Sequence, residues 1–346
     1  MVEIYIDYRF FDSLAKIYNS SNKIHQNFKD FIKLVDKPTI YTNISEEELD
    51  KLVESNMFWW MLTEKVPKII FNMEESKFSQ PEVINNGTAF KIFFLDFKAN
   101  ECAKFSQKYG FAFFNVESFE EQWKPFYFDL DREDLDLPVT NNENCNPRFD
   151  NWGILEKFNF PLNTILISDP YILGDKSLIR SNLSQIIKKL LANVPSDISI
   201  EIIITTTDGP KDLSNTAWED RWSALKEDLK SNLDNRLDLK FALYRYPKNI
   251  PDHARFILTN YWFIKSGNSF TYFDERGKLK NNIKDDIIFR LSLLKTTQNL
   301  IKERLLDAKL FVSKSENEPK RGPLDEINRI FQNKSFDKNF RLFRNV

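Results

Sequence analysis

Apolar and polar positions along the first 120 residues fall into short runs whose period alternates between two and about 3.6, the signature of strands interleaved with helices. Residues 2–11 (VEIYIDYRFF) and 38–44 (PTIYTNI) alternate as strands, and residues 27–35 (NFKDFIKLV) space their apolar side chains as a short helix. Residues 45–55 (SEEELDKLVES) form a second helix, opened by Ser45 and Glu48 in the spacing of a capping box. Residues 67–71 (PKIIF), 88–97 (TAFKIFFLDF) and 111–117 (FAFFNVE) are further strands; a helix over 100–110 ends at Gly110 between the last two. The pattern then breaks. Residues 129–152 (DLDREDLDLPVTNNENCNPRFDNW) are acidic and punctuated by Pro and Asn, which predicts a linker or a long surface loop.

Beyond it the alternation resumes in longer elements. Strands are predicted over 163–173, 197–209 and 237–246, with helices over 177–194 and 215–233 between them. A fourth strand begins near His253, residues 278–314 read as one charged helix, and SENEPKRGP at 315–323 precedes a last short helix. The fold class is therefore α/β in two domains: a smaller α/β domain over 1–130, a linker over 131–160, a domain over 161–314 and a tail over 315–346. The second domain is expected to be a mixed sheet with helices on both faces. Ligands of such sheets sit beyond the carboxyl ends of strands, here SDPYIL, TTTDGP and the neighbourhood of His253.

Composition narrows the class. The chain has 346 residues, 42% of them hydrophobic and 14% aromatic, enough for packed cores. No apolar run is long enough to span a membrane and the N-terminus lacks a basic leader, so a cytoplasmic location is expected. Cys102 and Cys145 are far apart and lack metal spacing, which predicts free thiols; neither a metal nor a cofactor is called for. The net charge of −2 conceals an asymmetry: residues 237–346 carry 22 Lys and Arg against 13 Asp and Glu, while the first 236 carry a net −11. A basic third attracts a polyanion, or neutralises the acidic part across an internal interface.

The chain has only two histidines. Read with period two, the run DHARFILTN puts His253, Arg255, Ile257 and Thr259 on one strand face, followed by the small-residue turn SGNS. An imidazole beside a guanidinium can receive a phosphoryl group; the same pattern also fits a surface His and Arg on a half-buried strand.

These residues resemble the phospholipase D superfamily, whose motif runs H-x-K-x4-D-x6-G-S. His253, Arg255, Asn260 and Gly267 fall at those spacings with Ser269 nearby, and the strand and helix order over roughly 160–310 is similar to one half of that fold. In particular the run resembles the phospholipase-D-like domain at the C-terminus of MIT-domain trafficking proteins and its bacterial relatives. The resemblance implies His253 as nucleophile, Arg255 as phosphate clamp and Asn260 as imidazole support, with Thr207, Gly267 and Ser269 assisting phosphate binding. Arg can replace Lys as a clamp; Asn in place of Asp cannot stabilise an imidazolium as a carboxylate does.

His25 has no motif around it, so the family's two-histidine chemistry implies a homodimer through the second domain. The function expected is a metal-independent phosphodiesterase, a nuclease more than a lipase, acting through a phosphohistidine. The alternative is a catalytically weakened module that binds nucleic acid or an anionic lipid headgroup. Bacterial two-domain proteins with a nuclease-like half often act as antiviral defence effectors, a context no residue here reports.

Other features carry bland readings alongside functional ones. Asp169 before Pro170 is read as a turn residue after a buried strand, against a family reading that puts its side chain near the site, and Trp218 and Trp222, four apart, as helix packing, against base stacking. Asp7, Glu48 and Asp96 could gather around Mg²⁺ as in PIN-type nucleases, although strand-end aspartates are common turn residues and no spacing here is diagnostic.

Overall fold

The computed structural model describes residues 2–17, 38–64, 68–119, 134–158, 161–192, 194–195, 198–207, 214–233, 238–246, 255–281, 283–314 and 340–344. His25, His253 and the helix predicted over 27–35 lie outside the described residues, as does most of the 315–346 tail. Two sheets organise the rest. The first joins β1 (Glu3–Ile6), β2 (Thr39–Thr42), β3 (Lys68–Ile70), β4 (Lys91–Phe94) and β5 (Ala112–Phe114), all parallel in the order β3-β2-β1-β4-β5.

Register in this sheet follows an aromatic row. Tyr41, Tyr5, Phe93 and Phe113 are direct cross-strand partners and stack at centroid distances of 4.6, 4.6 and 4.2 Å. Each such pair contributes roughly 0.5–1.5 kcal/mol beyond its burial, so a one-residue slip would break the row and turn these rings to the other face. The opposite face, with Ile4, Ile6, Ile40, Ile92 and Phe94, belongs to a core that runs on into the second sheet.

Local signals behave as expected around these strands. The helix after β2, α2 (Glu46–Ser55), carries the Ser45–Glu48 capping box, and the helix between β4 and β5, α3 (Ala99–Tyr109), stops at Gly110 with φ +66°. Gly110 is required twice over, because a Cβ there would also lie 2.4 Å from the Leu162 carbonyl oxygen. The first strand is shorter than predicted. Asp7 ends it by accepting the Arg9 N–H at 3.0 Å, and α1 (Tyr8–Ile17) begins there.

The second sheet contains β6 (Asp134–Pro138), β7 (Thr164–Ser168), β8 (Ser199–Thr206), β9 (Asp238–Arg245), β10 (Arg255–Thr259), β11 (Trp262–Ser266) and β12 (Asp286–Leu291) in the order β6-β12-β11-β10-β7-β8-β9. Strands β7, β8 and β9 are parallel, and the others run antiparallel to their neighbours. Helices α4 (Leu183–Leu191) and α5 (Asn215–Asn232) are the crossovers of the parallel part. Trp222 of α5 packs on Phe241 of β9 at 5.4 Å, as a packing residue should.

Two expectations are corrected in this sheet. The acidic segment, read as a linker or a long surface loop, supplies β6, the edge strand paired with β12, before residues 141–147 run as a largely exposed irregular stretch, and Trp152, Leu155 and Phe158 are buried beyond that. The long helix predicted over 278–314 begins only at Lys295, as α6 (Lys295–Lys314), because residues 286–291 alternate buried and open positions along β12. No helix among the described residues is long and apolar enough to cross a membrane. Cys102 and Cys145 are free thiols.

The sheets meet through buried polar groups at the tight turn between β10 and β11. Asn260, fully buried, accepts from the Asn163 and Thr164 N–H groups at 2.9 and 3.2 Å. Its Nδ2 donates to Ala89 O and to Asn163 Oδ1, both at 2.8 Å. Asn163 Nδ2 in turn donates to Tyr109 O at 2.7 Å, and the Ala112 N–H donates to the Tyr261 hydroxyl at 2.8 Å. The Tyr261 hydroxyl itself donates to Lys91 O. An amide is required at 260 because donors and acceptors both face it. Asn260→Asp would set a carboxylate oxygen against two acceptors, and we expect urea unfolding to show a loss of about 3 kcal/mol; an unchanged midpoint would contradict this account of the joint.

Candidate functional site

The carboxyl ends of β7 and β8 meet the start of β10, since β10 runs antiparallel to β7 with Phe256 opposite Ser168. At this edge the chain gathers Ser168, Asp169, Thr205, Thr207, Arg255 and the turn over 266–270. Thr205 donates to Ser168 Oγ at 2.9 Å, and the Thr207 hydroxyl donates to Pro170 O at 2.8 Å, fixing the loop that leaves β7.

Asp169 sits at the centre, fully buried. Its Oδ1 accepts the Tyr171 N–H at 2.9 Å, and its Oδ2 accepts the Ser269 hydroxyl at 2.8 Å and the Phe270 N–H at 2.7 Å. Burial pushes its carboxyl up to about 6, outweighing the three hydrogen bonds and the Arg255 charge, all of which favour the carboxylate. Arg255 lies beside it. Its Nη1 donates to Gly267 O at 3.0 Å and the guanidinium stands 5.5 Å from the centre of the Tyr171 ring, so guanidinium and ring are mutually oriented.

A second carboxylate holds the same turn from outside. Asp285 accepts the Gly267 and Asn268 N–H groups at 3.2 and 3.0 Å, the Ser266 hydroxyl at 3.0 Å and the Tyr272 hydroxyl. A Cβ at position 267 would lie 2.6 Å from Asp285 Oδ1, so glycine is there to admit the carboxylate. Chemically, the turn is a set of N–H and O–H donors facing two aspartates, oxygens of the kind a phosphate would offer.

Of the residues singled out in the sequence, Arg255, Gly267 and Ser269 come together here, with Thr207 on the adjoining strand end. Two positions before Arg255, His253 is outside the described residues. Asn260 is not brought to this edge. It lies five residues along β10, roughly 17 Å away at about 3.4 Å per residue, in the joint between the sheets. Support of an imidazole at the Arg255 edge is therefore not open to it. Asp169 is the turn residue it was read as, its Oδ1 accepting the Tyr171 N–H two residues on, and its Oδ2 in addition ties the loop after β7 to the 266–270 turn. Asp285 gave no signal, because the strand it precedes was read as helix.

The carboxyl edge of the first sheet carries the acidic residues. Asp7, fully buried, accepts from Arg9 Nη2 at 2.8 Å and from Asn43 Nδ2 at 3.1 Å; Arg9 also pairs with Glu75 and, at 3.8 Å, with Asp96. Glu48 is elsewhere, closing its capping box. Asp7 and Asp96 thus converge on a guanidinium, and among the described residues no group of three or more His, Cys, Asp or Glu side chains is arranged to hold a metal ion.

Compared with known proteins, the sequence matches no family model and has no match among curated proteins.

Because Asp169 has a higher affinity for protons folded than unfolded, the native state takes up a proton between about pH 4 and 6, and stability falls as pH rises through that window. A rise of this size in the carboxyl pKa is worth about 3 kcal/mol. Urea unfolding of wild type and Asp169→Asn between pH 4 and 7 should show this slope in wild type and a flatter one in the variant; parallel curves would contradict it.

Proposed function

We propose that the larger sheet is a phospholipase-D-like module that holds the phosphodiester backbone of nucleic acid, with Arg255 as the phosphate clamp. The observation that carries the reading is the convergence of Arg255, Gly267 and Ser269 at the carboxyl edge of β7, with the guanidinium oriented by Gly267 O and Tyr171. A guanidinium keeps its charge at every physiological pH and grips phosphate oxygens in pairs. The basic balance of residues 237–346 supplies the long-range attraction such a partner needs. Binding is favoured over catalysis because Asn260, which would support the imidazole, is committed to the joint.

The second reading is the hydrolase, favoured by His253 two positions before the clamp. In that chemistry an imidazole nitrogen attacks phosphorus while the P–O bond to the leaving group breaks, and a second imidazole protonates the departing oxygen. Water then cleaves the P–N bond. Each chain offers one such motif, so this form acts as a homodimer.

Both readings are tested by incubating wild type, His253→Ala and Arg255→Ala with single- and double-stranded DNA and RNA in EDTA. Salt-dependent binding by wild type, weakened about tenfold in Arg255→Ala, is the expected result. Cleavage lost in His253→Ala would establish the hydrolase, and retention only by anionic vesicles would move the ligand to lipid. Absence of binding to any polyanion at low salt would overturn the proposal.

A further inference from the structure

A cavity of about 410 Å³ opens elsewhere on the larger sheet's domain, between the segment at 151–153, the start of α4 and the turn at 274–278. It is an open cleft, with a volume in the roughly 300–1,000 Å³ range of small-ligand sites. None of its lining residues belongs to the Arg255 cluster. The lining carries three cations, Arg180, Lys189 and Arg276, against one carboxylate, Glu275. Two of the three have acidic neighbours: Lys189 is 2.7 Å from Glu156, and Arg180 lies 3.5 Å from Asp228, which Lys188 approaches more closely, at 2.6 Å. The side chain of Arg180 is 82% exposed, so an incoming anion can recruit it with little rearrangement.

The walls are built rather than fortuitous. Trp152 forms part of the floor and is anchored by Nε1 donating to Ser181 O at 3.1 Å. Phe273 beside it is held in both directions by Asn182, whose Nδ2 donates to Phe273 O at 2.8 Å and whose Oδ1 accepts the Phe273 N–H at 2.9 Å. Asp274 Oδ1 accepts the Arg276 and Lys278 N–H groups, both at 2.9 Å, and this locks the turn that presents Arg276. The turn needs Gly277 at φ +75°, and the space where its Cβ would be is open to 4 Å. Trp152 and Phe273 pack on each other at 5.6 Å and are almost fully buried, so the floor is closed and recognition falls to the charged rim.

We propose that this cavity binds a small phosphorylated ligand of nucleotide size, its phosphates met by Arg180, Arg276 and Lys189. Two guanidiniums and an ammonium, brought from positions 96 residues apart in the chain to one rim, form a donor set suited to a phosphate chain. The site is independent of the phosphodiester reading at Arg255.

The test is calorimetric titration of the full chain with ATP, with inorganic triphosphate and with a short single-stranded oligonucleotide, at physiological salt. Wild type should bind ATP and triphosphate saturably at one per chain. Arg180→Ala combined with Arg276→Ala should weaken that binding at least about tenfold, whereas Arg255→Ala should leave it unchanged. Both rim arginines lie on the surface, and an unaltered thermal midpoint in the double variant will show that folding is intact; Arg276→Glu alone should give the same loss by charge reversal. Binding of the oligonucleotide alone, weakened by the same variants, would uphold the site with strand phosphates as its source. Lack of saturable binding by wild type, or equal binding by the double variant, would overturn it.

Discussion

The buried amide of Asn260 is the constraint on which the architecture turns. It is met by two N–H donors and two oxygen acceptors, drawn from β7 and its preceding residue and from the segment before β4. A group of this kind cannot be exchanged for an apolar one without stranding its partners, nor for a carboxylate without repulsion. Around it, Tyr261 ties Lys91 O to the Ala112 N–H, and Gly110 lets the chain pass against Leu162. The apolar core continues across the same joint, so the sheets share one interior.

The consequence for function is geometric. Ala89 and Ala112 lie at the amino ends of β4 and β5, and Asn163 at the amino end of β7. The joint therefore consumes the amino ends and leaves both carboxyl edges free of it. One edge gathers Asp7, Glu75 and Asp96 around Arg9, and the other gathers Arg255, Ser269 and the two aspartates that hold its turn.

Much of the fold was legible because its signals are local. The Ser45–Glu48 box, the Gly110 stop and the β-branched run of β8 each declare themselves within a few residues. Strands β6 and β12 did not, since charged residues surround β12 and its partner β6 lies about 150 positions away, as the pair Arg290 and Asp134 illustrates. The site was half legible. Spacing pointed to Arg255 and Gly267, with Ser269 nearby, yet the same spacing assigned chemistry to Asn260, whose use is set by Ala89, 171 residues distant. Asp169 and Asp285 owe their roles to a turn about a hundred and about eighteen residues away respectively, contacts that a reading of neighbours along the chain does not reach.

The central claim is that a phosphodiester rests on the Arg255 guanidinium. The most direct measurement is the ¹⁵Nε signal of Arg255 in the nuclear magnetic resonance spectrum, followed as a dinucleotide is added and assigned by its loss in Arg255→Lys. The account predicts a saturable shift of that signal together with that of the His253 ring, while the side-chain amide of Asn260 stays still. An Arg255 signal that does not move, or a shift at Asn260 in its place, would contradict it.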